Sequence, residues 1–183
     1  MEKDLREFLI DQFSVDTIKN KVFFQEHIFL KDINGKIIAF VVSPKSLGHF
    51  GFSNLLLAYE IQKINRVYHA KEIGYIDYCI SKRSESKLFD GYKHKTLINK
   101  IFVDKNYRKL HIGSNMLKVL QRRIKKLCQE KTVLYGEYFP EDDSKEFALA
   151  FYKKNGLTLK KDNDTEYVIK QIKPKKTNND FEL

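Results

Sequence analysis

Residues Thr96–Gln121, TLINKIFVDKNYRKLHIGSNMLKVLQ, constrain the fold most, because they read as strand, turn and helix in immediate succession. Leu97, Ile98, Ile101, Phe102 and Val103 form a β-favouring apolar run. Asp104, Lys105 and Asn106 end it with turn chemistry. Beyond Gly113, the residues Met116, Leu117, Leu120, Ile124, Leu127 and Cys128 recur at the spacing of one helix face. The basic turn between strand and helix, Arg108 to Ser114, reads RKLHIGS. A helix start leaves backbone N–H groups without intrahelical partners and carries the positive end of the helix dipole. Gly113 permits a close backbone approach and Ser114 adds a small hydroxyl, so the turn is a candidate anion cradle suited to a phosphate. A solvated connection of the same composition is the plainer alternative.

Before this stretch, residues 1 to about 20 read as a helix with Leu5, Phe8, Leu9 and Phe13 on one face, broken near Ser14–Asp16. Residues 27–32 and 36–42 flank Ile33-Asn34-Gly35, the strongest hairpin signal in the chain, and Pro44 ends the second strand. A break at Gly48–Gly51 precedes a predicted helix from Ser53 or Asn54 through Tyr68, with Leu57, Ile61, Ile64 and Tyr68 on one face. Ile73–Ile80 reads as a strand, and Ser81–Lys95 as a polar loop. After the central helix, Thr132–Phe139 reads as a strand ended by Pro140. A right-handed crossover would make it a parallel neighbour of the Leu97–Val103 strand. Glu141–Asp143 is an acidic turn at the head of the next helix. Gly156 ends that helix, and Asp162–Thr165 marks a second hairpin.

The order of these parts resembles the GCN5-related N-acetyltransferase (GNAT) family. That family's acetyl-CoA-binding loop reads Arg/Gln-x-x-Gly-x-Gly/Ala, which lands on Arg108, His111 and Gly113, followed by Ser114 and the pair Met116-Leu117. His111 stands where the family has its first glycine. Ala148–Leu157, ALAFYKKNGL, is similar to the A-x-x-F-Y-x-x-x-G-F segment of the same family, with Lys145 where an Asn is frequent. The resemblance spans roughly Glu26–Ile172. It implies an α/β chain with a mixed (α+β) sheet: a GNAT-like acyl-CoA N-acyltransferase fold whose central mixed β-sheet is flanked by helices. One domain would occupy residues 1–172, with an inserted or elaborated segment at about 46–95, followed by a basic polar tail at 173–183. For that segment two assignments stay open, an elaboration beside the acceptor or Ile73–Ile80 as the third core strand.

The resemblance also implies an acetyl-CoA-dependent N-acetyltransferase, with direct attack of an acceptor amine on the thioester. Backbone groups of Ile101 and Val103, with Phe102 between them, would pair with pantetheine. Arg108, Lys109, Leu110, His111, Ile112, Gly113 and Ser114 would hold the pyrophosphate. Tyr152 falls at the family's tyrosine position and would be the general acid at the departing thiolate. Its plainer reading is a core tyrosine. Glu137, on the strand beside the proposed thioester, is the leading candidate for general base, since a carboxylate can take the amine proton directly or through water. Asp77 and Glu60 are alternatives.

Composition bounds the partners. At 183 residues, 42% hydrophobic and 13% aromatic, the chain suits one folded domain. The start MEKDLREF is charged where a signal peptide would turn apolar, and no apolar run reaches membrane-spanning length, so a cytoplasmic protein without membrane contact is expected. Cys79 and Cys128, the only two cysteines, have no CxxC or Cys/His neighbourhood and read as buried thiols; no metal site is expected. The net charge of +10 gathers on Lys118, Arg122, Arg123, Lys125 and Lys126, and on Lys160, Lys161, Lys170, Lys173, Lys175 and Lys176. Such charge favours anionic partners, whether CoA phosphates, an acidic protein or RNA, and equally suits a solvated face. A catalytically weak CoA-binding or protein-interaction domain, and an RNA-associated enzyme acting on aminoacyl-tRNA, are the competing readings. Monomer and homodimer both remain open.

Overall fold

In the computed structural model, which describes residues 3–13, 28–43, 54–81, 86–128, 130–138 and 145–173, Asn34 and Gly35 take φ values of 54° and 76°. Two successive left-handed residues make the tight hairpin turn whose twist matches that of paired strands. They join β1 (Ile28–Ile33) to β2 (Lys36–Ser43) in antiparallel register, Ile28 opposite Val41 and Ile33 opposite Lys36. β2 then pairs antiparallel with β3 (Asn54–Ile64), Ile38 opposite Glu60 and Ser43 opposite Leu55.

β3 corrects the helix expected from Ser53 or Asn54 to Tyr68. The chain runs extended to Ile64, turns at Asn65 and Arg66 (φ 49° and 68°), and returns as β4 (Val67–Ser81). Burial in β3 alternates, with Leu56, Ala58 and Glu60 inward, while Tyr59 on the other side packs partly buried against α1 (Lys3–Phe13). A strand covered on both faces reads as a continuous apolar run, which fits the helical period as well as the extended one. Arg66 gave no turn signal.

β5 (His94–Val103) follows a 3-10 turn at Lys87–Phe89, a second turn occupies Lys105–Tyr107, and α2 covers Ile112–Leu127. β6 (Thr132–Glu137), α3 (Lys145–Lys154), β7 (Thr158–Asp162) and β8 (Thr165–Ile172) complete the order. The sheet is mixed and eight-stranded, in the order β1-β2-β3-β4-β5-β6-β8-β7, with three α-helices among the described residues. This is the α/β class expected. β5 and β6 are the parallel neighbours that the crossover required, His94 opposite Thr132 and Leu97 opposite Tyr135. Ile73–Ile80 is the inner part of β4, between β3 and β5 in the sheet. The break near Ser14–Asp16, Pro44, Gly48–Gly51, Ser53, Pro140, the acidic turn Glu141–Asp143 and the tail beyond Lys173 lie outside the described residues.

The chain divides into two compact units, Met1–Asp77 with Lys100–Val119, and Tyr78–Asn99 with Leu120–Leu183. In the first, Leu5 and Leu9 of α1 bury against Ile28, Ala39, Val41 and Ile61, with Phe8 against Tyr68 at 5.6 Å and Phe13 against Tyr59 at 4.6 Å. The predicted apolar face of α1 is this contact. In the second, Phe89, Val133, Tyr135 and Ile169 form a core in which the Phe89 and Tyr135 rings lie 4.1 Å apart.

The face of α2 is buried as its spacing demanded at Met116, Leu117, Leu120, Ile124 and Cys128, but Leu127 is exposed in the last turn. Of the basic residues, Lys118, Arg122, Lys125 and Lys126 are exposed. Arg123 is half-buried and hydrogen-bonded to Tyr78. Lys170 likewise is not a solvated charge: its amine donates to Gln121 Oε1 at 3.0 Å and to the Asn155 carbonyl at 2.9 Å. Cys128 is buried, Cys79 half-buried, and neither forms a disulfide. No described helix is long and apolar enough to cross a membrane.

Candidate active site

The turn after β5 is built by local hydrogen bonds. Asp104 N–H donates to the Ile73 carbonyl of β4 at 2.9 Å, and its side chain accepts from Asn106 N–H at 2.8 Å, capping the 3-10 turn. Tyr107 N–H returns to the Asp104 carbonyl at 2.9 Å, and Leu110 N–H reaches the Tyr107 carbonyl at 3.4 Å. Lys109 and His111 then adopt φ of 68° and 59°, both left-handed. His111 thus takes, with a side chain, the backbone that a glycine adopts without cost. Its imidazole is exposed, as are Arg108 and Lys109. Leu110 and Ser114 are half-buried, and Ile112 and Gly113 buried.

The His111 carbonyl receives Asn115 N–H at 2.9 Å, the first bond of α2, and Asn115 Nδ2 at 3.0 Å. Asn115 Oδ1 in turn accepts from Lys31 of β1 at 2.7 Å. The N–H groups of Ile112 and Gly113 open the helix at its dipole-positive end, with exposed cations in the preceding turn. Charge, backbone donors and dipole all fit a pyrophosphate.

Upstream, Ile101 and Val103 are half-buried and Phe102 is exposed, its ring stacked on Tyr75 with centroids 5.5 Å apart. Arg108 Nε lies 3.5 Å from the Val103 carbonyl. Gly74, unremarked in the sequence beyond its place in a strand, lets β4 come close here.

In the second unit, Tyr152 lies in the last turn of α3. Its carbonyl accepts from Leu157 N–H at 3.0 Å, and Gly156 N–H reaches the Lys153 carbonyl at 2.9 Å. With Gly156 at φ 76°, this is a Schellman cap, the helix end expected there. The Tyr152 ring meets Tyr138 edge-on at 6.3 Å, and the Tyr138 hydroxyl donates to the Lys145 carbonyl at 2.7 Å, tethering the start of α3. Burial, then Tyr138, pushes the Tyr152 hydroxyl above its ordinary pKa of 10.0, so it holds its proton at neutral pH. Tyr138, which nothing in the sequence marked, is a structural partner of Tyr152. Glu137 is exposed at the end of β6, opposite Tyr167 in the register.

Of the alternative bases, Asp77 is fully buried in β4. Glu60 is 3% exposed and accepts from Lys36 Nζ at 2.6 Å, Gln62 Nε2 at 2.8 Å and the Tyr107 hydroxyl. Burial acts to raise its pKa, but the bonds from Lys36 and Tyr107, the Lys36 charge and the Gln62 bond outweigh it and hold the carboxyl below 4.5. A carboxylate so stabilised is a poor proton acceptor. No group of three or more His, Cys, Asp or Glu able to hold a metal ion occurs among the described residues.

A family model described as an acetyltransferase (GNAT) domain matches residues 25–157. No curated protein matches the chain. Among solved structures, Naa50 of Arabidopsis thaliana in complex with the bisubstrate analogue CoA-Ac-MVNAL is 18% identical, covering 92% of each chain, with a TM-score of 0.44. A GNAT-family acetyltransferase of Staphylococcus aureus Mu50 is 22% identical over 66% of this chain and 68% of that one, with a TM-score of 0.43. The PaiA N-acetyltransferase of Thermoplasma acidophilum in complex with coenzyme A is 19% identical over 64% and 59%, with a TM-score of 0.41.

Proposed function

The chain belongs to the GNAT acetyltransferase family, and we propose that it is an N-acetyltransferase carrying the acetyl group of acetyl-CoA to an acceptor amine by direct attack. The observation that carries this reading is the Arg108–Ser114 turn. It holds two left-handed residues and exposed cations, and it leads into the positive end of a helix whose apolar face is buried. His111, which departs from the family's glycine, keeps the left-handed backbone. That favours an enzyme over a domain that has lost its cofactor.

Acetyl-CoA supplies the activated thioester. The turn would hold the pyrophosphate through backbone N–H groups and the charge of Arg108 and Lys109. Backbone groups of Ile101 and Val103 would pair with the pantetheine amides. Glu137 would take a proton from the amine as its nitrogen bonds to the carbonyl carbon. Tyr152 would give its proton to sulfur as the carbon–sulfur bond breaks. The acceptor is a small amine, a protein amine or an aminoacyl-tRNA. The exposed Lys118, Arg122, Lys125 and Lys126 on α2 are the observation favouring an anionic partner.

A turnover screen with acetyl-CoA over small amines, peptides and charged tRNA, run beside CoA-binding calorimetry, tests the proposal. Acetylated product with at least one class is the expected result. Absence of CoA binding by the wild type would overturn it.

A further inference from the structure

We propose that Glu60 is a positioning residue for the Arg108–Ser114 turn, acting through the hydroxyl of Tyr107. The inference rests on the reading of that turn as the seat of the CoA pyrophosphate.

Glu60 lies on the inward face of β3, at 3% exposure, on the same side as buried Leu56 and Ala58 and opposite buried Ile38 of β2. A carboxylate in such a place is costly unless its lone pairs are taken up, and an apolar side chain would fill the same space more cheaply. The lone pairs are taken up here: one oxygen accepts from Lys36 and the other from both Gln62 and Tyr107. What an apolar residue could not do is accept the hydrogen bond of the Tyr107 hydroxyl and so hold the ring by its far end.

Tyr107 is 6% exposed and ends the 3-10 turn, one residue before Arg108. The amines of Lys36 and Lys71 lie 5.1 and 5.3 Å from its ring centroid, within cation–π range. Its carbonyl anchors Leu110, so the ring and the turn's backbone are fixed together. The far end of the turn has its own anchor, the His111 carbonyl held by Asn115, which Lys31 holds in turn. The two left-handed side-chain-bearing residues are Lys109, between these anchors, and His111, at the second of them. Such conformations persist only where the surroundings over-determine them. A turn already held in its binding conformation loses less freedom when the phosphate arrives, and affinity rises accordingly.

Tyr107→Phe removes the hydroxyl and leaves the ring. Glu60→Gln keeps the shape but removes the charge and leaves one acceptor oxygen where Lys36 on one side, and Tyr107 with Gln62 on the other, each had their own. For each variant and the double variant, CoA dissociation constants would be measured by calorimetry well below the melting temperature. Hydrogen exchange of amides 108–114 would be followed in the protein without CoA.

A positioning role predicts CoA binding weakened about 3–10-fold in each single variant, the worth of one hydrogen bond. The double variant should be no weaker than the weaker single, because the two residues act through one bond. Exchange across the turn should quicken in Tyr107→Phe. Lower melting temperatures with unchanged dissociation constants would mean that Glu60 is only structural, and would overturn the inference. Unchanged exchange in Tyr107→Phe would overturn it whatever the binding result. A wild type that binds no CoA would instead overturn the reading of the turn on which the inference rests.

Discussion

A Cβ placed on Gly74 would lie 2.6 Å from the carbonyl oxygen of Phe102, with Val103 Cα at 3.3 Å and Met116 Cε at 3.4 Å. The nearest atom is backbone and cannot swing aside, so β4 and the end of β5 approach this closely only because position 74 has no side chain. Gly74→Ala is therefore expected to cost about 1–3 kcal/mol of stability by urea denaturation. It should also weaken CoA binding, because the strand pushed away carries Ile101–Val103. Wild-type stability in the variant would show that the two backbones tolerate a methyl between them.

At the β3–β4 hairpin, exposed Arg66 sits at φ 68° after Asn65 at 49°. A side chain in this conformation is strained, and the Asn-Gly pair is the preferred occupant of such a turn. Arg66→Gly should raise stability by about 1 kcal/mol with an unchanged denaturant slope. A fall in the urea midpoint would argue that the Arg66 side chain contributes more than its backbone costs.

Tyr107 carries a pH dependence. The hydrogen bond to Glu60, then burial, then the charges of Glu60 and Asp104 push its pKa from 10.0 up to about 12. Above pH 10 the unfolded chain releases this proton while the native protein keeps it, so unfolding gains. The contribution is present in full below pH 10 and is lost as pH rises through about 12. Tyr107→Phe should flatten the alkaline decline, by on the order of 2 kcal/mol across that window. Tyr59, Tyr78, Tyr138 and Tyr152, whose hydroxyls burial also raises, would supply the remaining slope. An identical slope in wild type and variant would count against the bond to Glu60.

Tyr152→Phe keeps the ring and removes the proton. If Tyr152 protonates the leaving sulfur, acetyl transfer should fall by about 10²-fold or more, the range for loss of a general acid. The CoA dissociation constant should stay at the wild-type value, since the ring still packs edge-on to Tyr138. Turnover within a few-fold of wild type would return Tyr152 to a packing role.

Local chemistry alone settled several elements. Asn34-Gly35 demands a left-handed turn, and the strands on either side pair around it. The run into Val103, the turn at Asp104 and the helix spacing from Met116 to Ile124 each follow from contacts within a few residues, and all appear where their patterns lie. Gly156 closes α3 as its position promised. Other features depend on what the rest of the chain brings up. Whether Leu55–Ile61 coils or extends is undecided by its own pattern; pairing with β2 and cover on both faces decide it. Glu60 is equally silent, since a lone glutamate in an apolar run can be an exposed charge, a base or an anchor. It becomes an anchor only because Lys36, Gln62 and Tyr107, the last lying 47 positions away, converge on its two oxygens. A hydrogen bond is directional and short-ranged, so its partner is chosen by the packed backbone and not by proximity in sequence.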